Sequence, residues 1–140
     1  MSAEFFIDTN VLVYHLDTTD KRKHKIAEGI VRDALAAGSA CISWQVVQEC
    51  LNVLLRKAAT PLGNDQARVY LDAVLLPLMH VGWSDNVIHR ALDVKARWRF
   101  GFYDSLIVAS AMLAGCKTLL SEDLQHGQRL DGLTVANPFR

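Results

Sequence analysis

Near its N-terminus the chain reads Phe5-Phe6-Ile7-Asp8-Thr9-Asn10-Val11-Leu12-Val13-Tyr14, and this stretch decides the fold. Its first three residues form a short apolar run typical of a buried strand, and Asp8-Thr9-Asn10 follow, each of which suits a helix N-cap. The pattern predicts that the chain leaves a sheet at Asp8 and enters a helix. A carboxylate at the carboxyl end of a parallel strand stands where open α/β sheets place their sites, although capping alone would also explain Asp8.

Length and composition indicate one compact domain over residues 1–140. Hydrophobic residues make up 51% of the 140, which is enough for a sizeable core. Lys plus Arg and Asp plus Glu both number 15, so the formal net charge is zero and the overall field does not attract nucleic acid. This balance counts mildly against a nucleic-acid partner.

Cysteine usage and hydropathy indicate the compartment. The three cysteines, Cys41, Cys50 and Cys116, lie in apolar surroundings without a C-x-x-C pair, which favours buried thiols in a reducing, cytoplasmic environment. The longest nearly uncharged run, Ser105 to Cys116, is too short to cross a bilayer. We therefore expect no membrane association.

Short apolar runs alternate with helical patterns along the rest of the chain. The helix predicted from Gln45 to Lys57 has a broad apolar stripe and a narrow polar line that includes Gln45, Glu49 and Asn52. Repeated alternation of this kind predicts a three-layer α/β/α domain with a central, mainly parallel sheet. Besides the first strand, the predicted strands are Ala40–Ser43, Leu78–Val81, Lys117–Leu120 and Thr134–Ala136.

Four acids fall at a strand end or early in the helix that follows one. They are Asp8, Glu49, Asp104 and Asp123, and right-handed crossovers would gather them along one edge of the sheet. Each acid alone has an ordinary explanation, such as an N-cap, a solvated helix face or a favourable helix dipole. Four carboxylates held together repel each other unless a cation neutralises them, and Mg²⁺ or Mn²⁺ prefers oxygen ligands of this kind. Thr9, Asn10 and Ser121 are close enough in sequence to orient the carboxylates.

The segment Lys95–Asp104 combines cations and aromatic residues just ahead of an acid. Such a mixture is typical of a loop that contacts a phosphate backbone and stacks on bases, so Lys95, Arg97 and Arg99 are candidate RNA contacts. Core aromatic residues beside solvated cations would explain the segment equally well. The basic run Lys21–Lys25 has the same two interpretations, and an ordinary solvated helix face is favoured there.

At these positions the chain resembles PIN domains, and among them the VapC-type toxins of toxin–antitoxin modules. The resemblance rests on Phe6–Leu12, Glu49, Phe102–Ala111 and Leu120–Leu124, which follow one another in the expected order. It implies a Mg²⁺- or Mn²⁺-dependent endoribonuclease, often a homodimer, that a cognate antitoxin inhibits. By the same resemblance, Asp8, Glu49 and Asp104 bind the metal, Asp123 completes the site and Ser121 assists.

Two other classes of function remain open. A PIN-like module without catalysis would only bind RNA or protein, but its acidic cleft would then be a stability cost with no return. A haloacid-dehalogenase-type phosphotransferase would use Asp8 as its nucleophile. That chemistry needs a second acid two residues later, where this chain has Asn10.

Overall fold

Strand β1 (Phe5–Ile7) lies in the interior of the sheet, between two parallel neighbours. Phe6 pairs with Cys41 on one side and with Leu119 on the other, and both Phe6 and Ile7 are fully buried. The structure is a computed structural model that describes residues 3–56, 58 and 60–140. The apolar run that opens the sequence therefore forms the centre of the core, as its uninterrupted hydrophobicity predicts.

The remaining elements alternate along the chain as the sequence predicts. The strands after β1 are β2 (Ala40–Ser43), β3 (Met79–Val81), β4 (Thr118–Leu120), β5 (Arg129–Leu130) and β6 (Leu133–Ala136). The helices are α1 (Thr9–Leu16), α2 (Lys21–Ala37), α3 (Trp44–Arg56), α4 (Asn64–Tyr70), a π-helical segment (Leu71–Leu75), α5 (Leu76–Leu78), α6 (Asp85–Trp98) and α7 (Phe102–Leu113). Lys57, the predicted last residue of α3, lies outside the described residues.

The sheet has the order β3-β2-β1-β4-β6-β5, with every pairing parallel except that of β5 with β6. The predicted α/β/α class is confirmed, since helices flank a mostly parallel sheet. The chain proceeds from β1 to β2 and β3, then returns to place β4 on the other side of β1. Such a reversal leaves a crevice beyond the carboxyl ends of β1 and β4, and open α/β sheets bind ligands in that crevice.

Some predicted boundaries differ from the structure. The sequence predicts Asn64 or Asp65 as the cap of α4, but the N-cap in the structure is Gly63. The two-residue strand β5 was not predicted, because its pairing with β6 depends on a turn in which Asp131 adopts a φ of 59°. Hydrophobic periodicity does not reveal which aspartate adopts a left-handed backbone conformation.

The three cysteines are buried and free, which confirms the interpretation that they are core thiols. Cys41 Sγ and Cys116 Sγ lie 3.6 Å apart in the core. Within the described part of the chain, no helix has both the length and the apolarity needed to span a membrane.

Candidate active site

Asp8 stands at the end of β1 and is also the N-cap of α1. Its backbone N–H donates to Leu120 O at 2.9 Å, and its Oδ1 accepts from the N–H of Thr9 at 2.7 Å. Its Oδ2 accepts from Ser121 Oγ at 2.8 Å, from the residue that follows β4. The capping and functional interpretations of Asp8 are therefore compatible, because the cap fixes the carboxylate at the sheet edge.

Glu49 reaches the same edge from α3. Thr9 Oγ1 donates to Glu49 Oε1 at 3.0 Å, so Thr9 contacts two different acids, Asp8 through its N–H and Glu49 through its hydroxyl. The helix is placed by Val46, Val47 and Cys50, which are buried on its inner face. Glu49 lies on the polar line of that helix, as predicted, and faces the crevice.

Asp104 and Asp123 complete the acidic edge. Asp104 is in the first turn of α7, and its charge acts on Asp123. Asp123 lies in a segment without helix or strand after β4, where Asn10 Nδ2 donates to its Oδ2 at 2.8 Å. Residues that are 113 positions apart in the chain thus meet directly at the site.

All four predicted acids line one pocket of about 250 Å³. Thr9 and Asn10 also line it, whereas Ser121 lies beneath it, fully buried against Asp8. None of the described residues that line the pocket is Lys, Arg or His. The site therefore gathers several carboxylates without a cationic side chain among them; its complete lining is Asp8, Thr9, Asn10, Gln45, Glu49, Asn52, Val53, Asp104, Ile107 and Asp123.

The surroundings of Asp8 and Asp123 disfavour the ionised forms of these two acids. Burial raises the pKa of Asp8 from 3.8 to about 6; the hydrogen bonds from Ser121 and Thr9 oppose this rise, and the charges of Asp123 and Glu49 add to it. The pKa of Asp123 is also raised, first by burial and then by the charges of Asp104 and Glu122. Like charges with little compensation are the condition under which a bound cation stabilises a site most.

The donor set fits a hard divalent cation, since it consists of carboxylate oxygens with amide and hydroxyl groups around them. Among residues 3–56, 58 and 60–140, however, no three His, Cys, Asp or Glu side chains are spaced to hold an ion as they stand. Instead, Glu49 Oε1 accepts a hydrogen bond from Thr9, and Asp123 Oδ2 accepts one from Asn10. The acids share a pocket without forming a ready-made coordination sphere.

The candidate RNA-contacting segment Lys95–Asp104 is mostly helical. Lys95–Trp98 is the last turn of α6, and Phe102 begins α7, so only residues 99–101 are non-helical. Arg99 ends α6 in a left-handed conformation with a φ of 62°. Lys95, Arg97 and Arg99 are exposed and are not among the pocket-lining residues, and Arg97 forms a 2.8 Å ion pair with Asp131.

Sequence reasoning missed the apolar part of the pocket wall. Val53 and Ile107 line it, but apolar residues on a helix give no signal that distinguishes a pocket wall from the core. It also missed the contacts of Glu122, whose carboxylate accepts hydrogen bonds from Tyr14 Oη and Lys23 Nζ. No spacing rule connects residues about a hundred positions apart.

Several solved structures of similar fold are of toxins or toxin–antitoxin complexes. One is a toxin–antitoxin complex from Klebsiella pneumoniae, with 18% identity, a TM-score of 0.66 and coverage of 98% of both chains. VapBC2 from Rickettsia felis, bound to a DNA fragment from its promoter, has 18% identity and a TM-score of 0.66 over 95% of this chain and 97% of that one. VapC20 from Mycobacterium tuberculosis, a sarcin–ricin loop cleaving toxin, has 20% identity and a TM-score of 0.60 over 85% and 89%.

Comparison of sequences gives the family. No curated protein matches the chain significantly. The profile of the PIN domain matches residues 5–130, which span β1 to β5 and include all four acids of the pocket. The chain therefore belongs to the PIN-domain family.

Proposed function

We propose that the chain is a Mg²⁺- or Mn²⁺-dependent endoribonuclease that hydrolyses RNA phosphodiester bonds as the toxin of a toxin–antitoxin pair. The observation that carries this proposal is the pocket itself, which gathers Asp8, Glu49, Asp104 and Asp123 without a cationic residue in its described lining. Membership of the PIN-domain family supports nuclease chemistry. One relative of similar fold is itself an RNA-cleaving toxin.

The four acids would hold the ion through their carboxylate oxygens. The bound ion would polarise the phosphodiester and lower the pKa of the attacking water. Asp8 is mostly ionised at neutral pH because its pKa is about 6, so it is available as a ligand in the cell. The Thr9 N–H and the Ser121 hydroxyl donate to the two carboxylate oxygens of Asp8. Asn10 donates to one oxygen of Asp123, and the Thr9 hydroxyl donates to one oxygen of Glu49.

The decisive experiment uses a 5′-labelled single-stranded RNA with the purified chain. We expect internal cleavage with Mn²⁺ or Mg²⁺ and none with EDTA. The second candidate, a metal-free module that only binds RNA or protein, is favoured by the lack of a ready-made coordination sphere among the described residues. RNA binding that is equal with Mn²⁺ and EDTA, without cleavage in either, would establish that module instead.

Ser121 provides a separate test of the acid chemistry. Replacing Ser121 with Ala removes the hydrogen bond that opposes the rise in the pKa of Asp8, so we expect the acid limb of the pH–rate profile to move to higher pH. We also expect cleavage at pH 7 to fall about 10-fold or more, as for other residues that orient metal ligands. Ser110→Ala is the matched control, since Ser110 is buried but bonds only to Leu106 O in its own helix. Equal profiles for both variants would contradict the role of Ser121.

The RNA path is proposed to run over the junction of α6 and α7, through Lys95 and Arg99 and with a smaller contribution from the paired Arg97. This junction leads directly to Asp104, which supports its position beside the pocket. Replacing Lys95 and Arg99 together with Ala is expected to weaken RNA binding and to reduce the slope of log affinity against log salt by about 1.4. The control replaces Lys25 and Lys117, two exposed lysines that lie in α2 and just before β4. An equal loss in both double variants would mean that only net charge matters.

We further propose an antitoxin partner, a homodimer and a cytoplasmic location. The structures from Klebsiella pneumoniae and Rickettsia felis are toxin–antitoxin assemblies, which supports an antitoxin for this chain. Three buried free thiols are consistent with a reducing compartment. Sedimentation of the purified chain tests the dimer, and a monomer at micromolar concentration would refute it.

A further inference from the structure

Asp123 has the least rigid scaffold of the four acids. Asp8 caps a helix, and Glu49 and Asp104 lie within helices, but residues 121–125 have neither helix nor strand. Asp123 itself is exposed, and it faces repulsion from Asp104 and from its own neighbour Glu122. Asn10 holds one carboxylate oxygen of Asp123, and contacts outside secondary structure must hold the segment that carries it.

An inner attachment comes from Ser121. Its buried Oγ accepts from the N–H of Asp123 at 3.2 Å and from the N–H of Leu124 at 3.3 Å, while donating to Asp8. This attachment orients the backbone of the segment. It does not hold the carboxylate of the neighbouring Glu122, whose negative charge lies beside the acidic pocket. Other residues must hold that carboxylate.

An outer attachment holds Glu122. Tyr14 Oη donates to Glu122 Oε1 at 2.8 Å, and Lys23 Nζ donates to Glu122 Oε2. The ammonium of Lys23 lies 5.0 Å from the ring centroid of Tyr14 and 5.7 Å from that of Phe139, and these two rings contact each other edge to face at 5.0 Å. Lys23 is therefore confined between two aromatic rings and an acid.

The partners of this attachment come from four separate parts of the chain. Tyr14 lies in α1, Lys23 in the first turn of α2, Glu122 after β4 and Phe139 near the C-terminus. Arg22, next to Lys23, donates to the backbone carbonyl of Phe139 and thereby fixes the ring against which Lys23 packs. Lys23 neutralises the acid beside Asp123 without being among the residues that line the pocket.

We propose that Lys23 and Tyr14 are positioning residues, which act through Glu122 to hold Asp123 in the orientation that completes the cation site. This inference rests on the proposed metal-dependent function. It assigns a role to part of the basic run at the start of α2, whose charge is otherwise that of an ordinary solvated helix face. Neither Lys23 nor Tyr14 lines the acidic pocket.

A positioning role of Lys23 and a purely electrostatic effect of its charge predict opposite changes in Mn²⁺ affinity when Lys23 is replaced with Met. The Met side chain keeps most of the apolar stem between the rings but removes the ammonium. Loss of a nearby positive charge would by itself strengthen cation binding at the acidic pocket. Loss of positioning weakens it instead, and we expect Mn²⁺ affinity to fall about 10-fold.

The experiment measures Mn²⁺ binding by calorimetry for the wild-type chain and its variants. Lys23→Arg, which keeps the charge and the donors, is expected to bind within about twofold of wild type, and Tyr14→Phe to show a smaller loss than Lys23→Met. Lys21→Met is the matched control, because it removes a charge of the same sign from an exposed position in the same turn.

Hydrogen exchange without metal adds a second readout. The amide hydrogens of Asp123 and Leu124 should exchange faster in Lys23→Met than in Lys21→Met.

The possible outcomes separate the two proposals. If the wild-type chain neither binds Mn²⁺ nor cleaves RNA, the proposed function is wrong. If the wild type binds Mn²⁺ but Lys23→Met binds it equally or more tightly, only the positioning role is overturned. Unchanged exchange of the Asp123 and Leu124 amides in Lys23→Met would overturn that role even without metal.

Discussion

Replacing Asp104 with Asn is expected to reduce metal-dependent RNA cleavage about 100-fold or more while leaving the fold intact. The side chain is exposed in the first turn of α7, and no hydrogen bond to it is found among the described residues, so the change removes charge and little else. Asn keeps the shape of the side chain but binds a hard cation more weakly than a carboxylate does. Initial rates on labelled RNA, measured at several Mn²⁺ concentrations, test this expectation.

Asp85→Asn is the matched control for that measurement. Asp85 is also an exposed acid in the first turn of a helix, so its replacement costs the same favourable helix-dipole interaction, about 0.3–1 kcal/mol. It does not line the acidic pocket. Cleavage that survives in Asp104→Asn at the level of Asp85→Asn would mean that the pocket is not where the chemistry occurs.

Local signals were enough to predict the acidic edge of the sheet. The junction from β1 to Asp8 is determined within a few residues, since an apolar run and an N-cap together specify where a strand ends and a helix starts. The placements of Glu49 and Asp104 follow from the same alternation of strands and helices. The sheet order then brings these acids together without any further information.

Features that depend on contacts between residues far apart in the chain could not be predicted from the sequence. The attachment of Glu122 to Tyr14 and Lys23 joins segments 108 and 99 positions apart, and no pattern in the sequence indicates it. The aromatic and basic residues of Lys95–Asp104 suit a binding loop, but Lys95–Trp98 belong to α6 and Phe102–Asp104 to α7. Arg99 ends α6 after Trp98 by adopting a positive φ, which periodicity does not reveal.

The metal-free protein is expected to lose stability as the pH rises from about 4 to about 6. The pKa of Asp8 is about 6 in the folded chain, against an ordinary 3.8, so the folded state binds a proton more tightly than the unfolded state does. The stabilisation is complete below pH 3.8 and is lost as the pH rises through about 6. At about 1.4 kcal/mol per pH unit, the difference comes to about 3 kcal/mol. Denaturant unfolding in EDTA at several pH values measures it.

Comparison with Asp8→Asn isolates the contribution of this one carboxyl from all others that titrate. The variant does not titrate at position 8, so the difference in free energy of unfolding between wild type and variant should fall with rising pH over this interval. Mg²⁺ should reverse the trend for the wild type alone, because the ion binds the deprotonated carboxylate and stabilises the folded state more as the pH rises. A wild-type chain that gains stability relative to Asp8→Asn between pH 4 and 6 without metal would contradict the burial of this charge. If Mg²⁺ instead left the pH dependence unchanged, Asp8 would be a buried acid that does not bind the cation. The acids of the pocket would then have to bind something other than Mg²⁺.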